Sequence, residues 1–433
     1  MDKLRFVFET IGTRGDVAPL LAVAAEVQRR GFDATLLAPC AFARDARDQG
    51  VDFVPTFDRH LDRVGRACFD DFYFPALQLV VDYFDRARRG GQRLVVVNID
   101  KTASSNLLCE RDAVPGVRLH LTPFKLRSFI APPWPFAAHA RGPGRAAYLR
   151  DTLPRFLDDC DRHAGLLAHI NARRGGLGLP PATSATPLEP HLLEQACLFP
   201  DWYGSPPADW PSGLRLLGFP LPEPAGSLSE PVRAFLAAGE PPLVFTTGTG
   251  VRDVREFFEH ARGCCTLLQR RGLFLGPHLA GPGDPAILTV GFEELALVLP
   301  HSALLVHHGG IGTLARAVQA GIPQLVSPLK YDQPDNAHRV EDLGLGARLE
   351  RAQLSAFSLA ALARRLLSKD WPRRRLTESC QRVQACNGID ACAALLEQIA
   401  RQSSPAPRRV AVLETERFGP AGAASAGSDT ASK

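Results

Sequence analysis

Residues 304–337 read LLVHHGGIGTLARAVQAGIPQLVSPLKYDQPDNA and constrain the fold more than any other stretch. The apolar run Leu304-Leu305-Val306 predicts a strand. His307 and His308 follow, then the turn Gly309-Gly310-Ile311-Gly312-Thr313. A helical pattern from Leu314 to Ala320 stops at Gly321. A second apolar run, Gln324-Leu325-Val326, leads to Asp332-Gln333. A strand that feeds glycines into a helix N-terminus builds an anion site, because bare N–H groups and the helix dipole face the same way. The glycines let the backbone approach an anion with no Cβ between. His307 suits a charge-assisted hydrogen bond to a phosphate oxygen. Asp332 and Gln333 offer a carboxylate and an amide, which suit sugar hydroxyls. Together these residues describe a pocket for a diphosphate carrying a sugar.

With 433 residues, the chain is too long for one ordinary domain and long enough for two. It is 45% hydrophobic and 22% charged, a globular composition. Fifty basic residues nearly balance 46 acidic ones, for a net charge of +4, which is no nucleic-acid footprint. The start, MDKLRFVFETIG, runs directly into a predicted strand without the features of a signal peptide. No apolar run approaches membrane-spanning length. A cytoplasmic location is expected. The 10 cysteines show no C-x-x-C pair and no zinc spacing, so reduced thiols acting as small apolar residues are expected. Cys264 and Cys265 are adjacent and unsuited to a strain-free disulfide.

Strands are predicted at Leu4–Glu9, Ala34–Ala38, Phe53-Val54, Leu94–Ile99 and Arg118–Leu121, with helices at Val17–Arg30 and Arg44–Gln49 between them. A long helical segment is expected over about Arg145–Arg174. The alternation restarts at Pro242–Phe245, followed by a helix at Phe257–Arg271 and strands at Leu273–Leu275 and Ile287–Val290. Strands alternating with helices imply parallel sheets covered on both faces. The expected organisation is an α/β chain of two doubly wound domains facing across a cleft. Residues 1–222 form the first, 223–235 a linker, 236–402 the second with its final helix at Cys392–Arg401, and 403–433 a disordered tail.

The strings VHHGGIGT, AGIPQLVSP and DQPDNA resemble the donor-binding signature of family 1 glycosyltransferases of the GT-B fold. GTRGDVAPLLAVAAEVQRRG is similar to the acceptor-side start of the bacterial branch. That branch holds macrolide, glycopeptide and sterol glycosyltransferases and the B chain of rhamnosyltransferase 1, to which the likeness is nearest. The resemblance implies two Rossmann-like domains and transfer from a UDP- or dTDP-sugar donor with no other cofactor. It implies that His307, Gly310, Gly312 and Thr313 contact the donor diphosphate, with Thr247, Gly248 and Thr249 lining the same phosphates. Phe292 matches a base-stacking aromatic. Asp332 and Gln333 would hold sugar hydroxyls, with Asp335 and Asn336 bracing their loop. Plant relatives carry Trp where Phe292 stands and an acidic ribose ligand where this chain has Ala315, which leaves base preference and ribose recognition open.

Inverting transfer needs a base for the acceptor proton. Many family members use a His after the first strand, whereas this chain has Asp16. Two readings stand for Asp16: catalytic base, or cap of the helix that follows. Asp100 reads as a surface carboxylate before a support for the base, His120 as a core histidine before an acceptor contact, and His308 as a brace beside His307 before a direct ligand. Arg14 is either structural or acceptor-facing. Asp159-Cys160-Asp161 spells D-x-D but lies within a helical pattern, so metal-independent transfer is expected. The Phe- and Trp-bearing segment Phe124–Arg150 with its arginines offers an acceptor loop or a peripheral membrane contact. The leading acceptor is a hydrophobic hydroxyl compound, lipid first and polyketide-like second. A sugar-nucleotide epimerase and a non-catalytic sugar-nucleotide-binding partner are the alternatives.

Overall fold

The computed structural model describes residues 4–57, 77–99, 102, 104–126, 128, 130–131, 133, 164–183, 193–224, 226–248, 254–276 and 284–402. Asp100, the Asp159/Asp161 pair, Thr249, the tail and most of Phe124–Arg150 lie outside the described residues.

The first sheet contains β1 (Leu4–Glu9), β2 (Asp33–Pro39), β3 (Asp52–Phe57), β4 (Arg93–Ile99), β5 (Gly116–His120), β6 (Leu193–Cys197) and β7 (Arg215–Leu216). Its order is β3-β2-β1-β4-β5-β6-β7, and every pairing is parallel. The second sheet contains β8 (Leu243–Thr246), β9 (Gly272–Leu275), β10 (Ile287–Val290), β11 (Leu304–His307), β12 (Gln324–Val326) and β13 (Gly346–Arg348). Its order is β10-β9-β8-β11-β12-β13, again all parallel. Each sheet therefore has the Rossmann order. The direction of winding switches between β1 and β4 in one and between β8 and β11 in the other, and ligands of such sheets bind beyond the carboxyl ends of those strands.

The apolar runs reflect burial on both faces. Phe6 and Phe8 of β1 pack toward the helices Arg14–Arg29 and Gly388–Gln402, while Val7 packs toward Leu77–Arg89 and Ser104–Asp112. A strand covered on both sides needs apolar residues at both parities, which is why LRFVF does not alternate. In the second sheet Leu304 and Val306 share a core with Phe257, Phe258 and Leu359, and Leu305 faces the opposite layer with Val232 and Val298.

The structure revises two expectations. The signature helix spans Ile311–Gln319, so it starts three residues before the apolar periodicity does. The final helix, Gly388–Gln402, does not cover the second sheet: Ile389, Cys392, Leu395, Leu396 and Ile399 lie in the core of the first lobe, against Val17, Leu20 and Val27. The chain thus crosses back to where it began. A further core joins the lobes, with Phe199, Tyr203 and Phe219 packed among Leu314, Val318, Val326, Ala337 and Val340.

Candidate active site

The register of the second sheet places Thr246 of β8 and Val326 of β12 on either side of His307 in β11. The next residue on each strand is Thr247, His308 and Ser327, so these three form a row beyond the carboxyl edge at the switch point. Each carries a buried polar atom, Thr247 Oγ1, His308 Nδ1 and Ser327 Oγ, that has no hydrogen-bond partner among the described residues. Buried polar groups are nearly always paired, so three orphans side by side mark a place where a polar ligand completes the bonding.

His308 occupies the centre of this row. A Cβ added to Gly248 would lie 2.5 Å from its Cε1, and one added to Gly310 would lie 2.7 Å from its Nε2. Only glycine lets both turns close on the imidazole. Gly248 also adopts φ +71°, a conformation that side-chain-bearing residues avoid. Burial pushes the His308 pKa down to about 4, so the ring is neutral at pH 7.

His307 does not stand where the motif placed it. It is 0% exposed, and both ring nitrogens are engaged. The Gly309 N–H donates to its Nδ1 (3.2 Å), which leaves the Nε2 proton for Gln324 Oε1 (3.0 Å). Burial above all, with His308 nearby, lowers its pKa to about 3. A neutral, fully bonded imidazole makes no charge-assisted bond to a phosphate. His307 is instead the post on which the glycine turn is built, and His308 is the ring that faces the turns. Strand alternation is the signal that separates the two: in a buried strand end, neighbours point to opposite sides.

The helix N-terminus is open. Gly310 is its N-cap, and no side chain caps it. The first N–H groups of a helix have no partner within it, so those of Ile311, Gly312 and Thr313 face outward with the positive end of the dipole. A Cβ on Gly312 would meet nothing within 4 Å, so this turn borders free space. Gly309, at φ +95°, would place a Cβ 2.9 Å from Val326 Cγ1. Thr247 lies beside this turn, and Gly248 N–H is held by Thr246 Oγ1 at 3.1 Å.

Asp332 is the N-cap residue of the helix Gln333–Asp342. Its Oδ2 accepts from Asn336 Nδ2 (2.9 Å), and the same amide nitrogen donates to Gly309 O (2.8 Å). Gln333 Oε1 accepts from the Leu329 and Lys330 N–H groups at 2.9 and 3.1 Å. Its amide oxygen therefore braces the loop, and only its NH₂ remains to reach a ligand. Before Asp332, Tyr331 is 71% exposed at φ +61°. Ala315 is packed into the core between the lobes, so no ribose ligand comes from that position.

Asp16 follows β1, at the switch point of the first sheet. Thr13, not Asp16, is the N-cap of Arg14–Arg29, and Asp16 is the third residue of that helix. Asp16 Oδ2 accepts from the Thr13 N–H at 2.9 Å, one half of a capping box. Arg14, in the same turn, pairs with Asp45 at 3.0 Å and sits 5.2 Å above the ring of Phe292, which is 59% exposed. This contact brings the carboxyl-end loops of β1 and β10 together, one from each lobe. His120 is a core residue bonded to Gln195 Oε1 at 2.9 Å. Gln324, Ser327 and Tyr203, which the motif reading passed over, join the site through their bonds and register.

The description "Erythromycin biosynthesis protein CIII-like, C-terminal domain" matches residues 282–396, and "Glycosyltransferase family 28 N-terminal domain" matches residues 6–83. The chain is 29% identical to O-mycaminosyltylonolide 6-deoxyallosyltransferase of Streptomyces fradiae, over 93% of this chain and 99% of that one. It is 27% identical to glycosyltransferase GtfC of Amycolatopsis orientalis, over 93% of this chain and 99% of that one. Among solved structures it is similar in fold to the glycotransferase of kitacinnamycin, with TM-score 0.71 and 20% identity over 91% of this chain and 98% of that one. It is also similar to glycosyltransferase VinC in complex with DTDP, with TM-score 0.66 and 18% identity over 92% of this chain and 100% of that one.

Proposed function

We propose that this chain, which belongs to the family 1 glycosyltransferases of the GT-B fold, moves a hexose or deoxyhexose from a UDP- or dTDP-sugar to a hydroxyl of a hydrophobic acceptor, with inversion and without a metal ion. One observation carries the donor reading. The uncapped N-terminus of Ile311–Gln319 opens beside Thr247, His308 and Ser327, whose orphaned polar atoms lie at the switch point. A diphosphate suits this open N-terminus, and the helix dipole stabilises the charge that grows on it as the glycosidic C–O bond breaks.

At the start of the reaction the His308 imidazole is neutral and donates one hydrogen bond. A diphosphate beside it favours its protonated form, so negative charge on the leaving group and a proton on His308 reinforce each other. On the facing lobe, Asp16 is the carboxylate available to take the acceptor proton as the acceptor oxygen attacks the anomeric carbon from the opposite side. Oδ2 of Asp16 is already shared with Thr13 N–H.

Support for the acceptor comes from the relatives. The Streptomyces fradiae enzyme is by name a deoxyallosyltransferase acting on O-mycaminosyltylonolide, which favours a polyketide-like natural product over a lipid for this chain. Among the described residues no helix is long and apolar enough to cross a membrane.

The test is a panel of UDP- and dTDP-sugars screened by thermal shift, followed by product analysis with and without acceptor. A ligand present at a hundred times its Kd and bound only to the native state stabilises it by about 2.7 kcal/mol. A clear rise in Tm with one nucleotide class is the expected result. No shift with any nucleotide removes the donor site, and conversion of donor into an isomeric nucleotide-sugar without acceptor replaces transfer by epimerisation.

A further inference from the structure

The hydroxyl of Tyr203 donates to Asn336 Oδ1 at 2.6 Å, and both residues are 0% exposed. Tyr203 lies in the short helix Asp201–Gly204 that follows β6 of the first sheet, whereas Asn336 belongs to the second lobe. From Asn336 the amide nitrogen continues to Gly309 O (2.8 Å), in the turn before the signature helix, and to Asp332 Oδ2 (2.9 Å). The orientation of this amide follows from its partners. A carbonyl and a carboxylate only accept, so nitrogen must face Gly309 and Asp332, and oxygen must face the phenol. A second tie fixes the same joint: Arg339, held by Asp335 at 2.7 Å, donates to Tyr203 O and Gly204 O at 2.9 and 3.1 Å.

We infer that Tyr203 is a positioning residue through which the first lobe orients the donor-sugar carboxylate of the second, acting through Asn336 on Asp332 and on the glycine turn at once. This inference rests on the donor reading above. It adds that the sugar subsite is incomplete without a residue contributed from the other lobe. The phenol touches no donor atom itself. It locks the amide, and the amide holds Asp332 in line with the turn that receives the diphosphate. The free nucleoside diphosphate carries no sugar for Asp332 to hold, so it depends less on this chain of bonds than the sugar-bearing donor does.

Titration calorimetry on the full chain tests this with UDP and dTDP and with their glucose conjugates, comparing wild type with Tyr203→Phe. Acceptor KM is measured alongside. Loss of one buried hydrogen bond predicts about fivefold weaker binding of the nucleotide-sugar, less than twofold change for the free diphosphate, and an unaltered acceptor KM. Asn336→Ala, which cuts the same chain of bonds at its middle without adding a charge, is expected to show the same split and serves if Tyr203→Phe folds poorly. Equal weakening of both ligands together with acceptor KM means a merely structural role and overturns the proposal, as does wild-type binding by both variants. Wild-type protein that binds none of these ligands overturns the donor reading, and this proposal falls with it.

Discussion

Two adjacent histidines of identical chemistry are given different tasks by the direction of their side chains. His307 points into the second lobe and spends both nitrogens on Gly309 and Gln324, while His308 points out between Gly248 and Gly310. Their substitutions should therefore separate. His307→Ala leaves Gln324 Oε1 and the Gly309 N–H without partners inside the protein, at a cost of on the order of 3 kcal/mol, and should lower Tm by several degrees. His308→Ala removes a ring whose Nδ1 is unpaired; it should lower Tm less than His307→Ala does and lower turnover at least tenfold. Melting curves and initial rates on the two variants check this, and the reverse ranking would restore the phosphate role to His307.

At the level of elements, what matters is where helices begin. Apolar periodicity starts at Leu314, but the backbone turns helical at Ile311, because glycine at the N-cap carries no side chain to announce it. Asp16 shows the converse. Its carboxylate closes a capping box with Thr13 while standing at the carboxyl edge of β1. Asp16→Asn tests which duty dominates. The amide oxygen of the variant still accepts from the Thr13 N–H, so a thermal melt should be nearly unchanged. If Asp16 is the base, the variant binds donor normally and loses turnover by a factor of at least about a hundred. Full turnover would leave it as a cap alone.

Across the whole molecule, the buried histidines tie stability to pH. The unfolded chain binds protons at His307 and His308 below about pH 6.5, whereas the native state resists until about 3 and about 4 respectively. The stability they confer is complete above pH 6.5. It falls with pH by up to about 1.4 kcal/mol per unit for each, until the folded values are reached. Glu9, buried at the end of β1, has its pKa raised by burial against the opposing bonds from Ser105 and Ser104, and so acts with the opposite sign. The difference between wild type and His308→Asn isolates one contribution: denaturant melts from pH 7 to pH 4.5 should show a shallower decline in the variant. Parallel declines would mean that His308 is not held neutral by the fold.

Much of this protein was legible from local pattern. The parallel, doubly covered strands follow from apolar runs bounded by glycine, and β1, β10 and β12 have the bounds that the residues predict. The glycine turn that leads into a helix is legible too, because φ and the absence of Cβ are properties of single residues. Weaker elements such as β7 (Arg-Leu) and β13 (Gly-Ala-Arg) have no apolar run to be read from. What only the tertiary structure decided were relations between distant residues. His308 rather than His307 faces the turns, Ser327 joins them through strand register, Tyr203 reaches Asn336 across the lobes, and the last helix returns to the first lobe. A sequence records each side chain's chemistry, but which partner it meets depends on how separate elements pack, and no local rule encodes that distance.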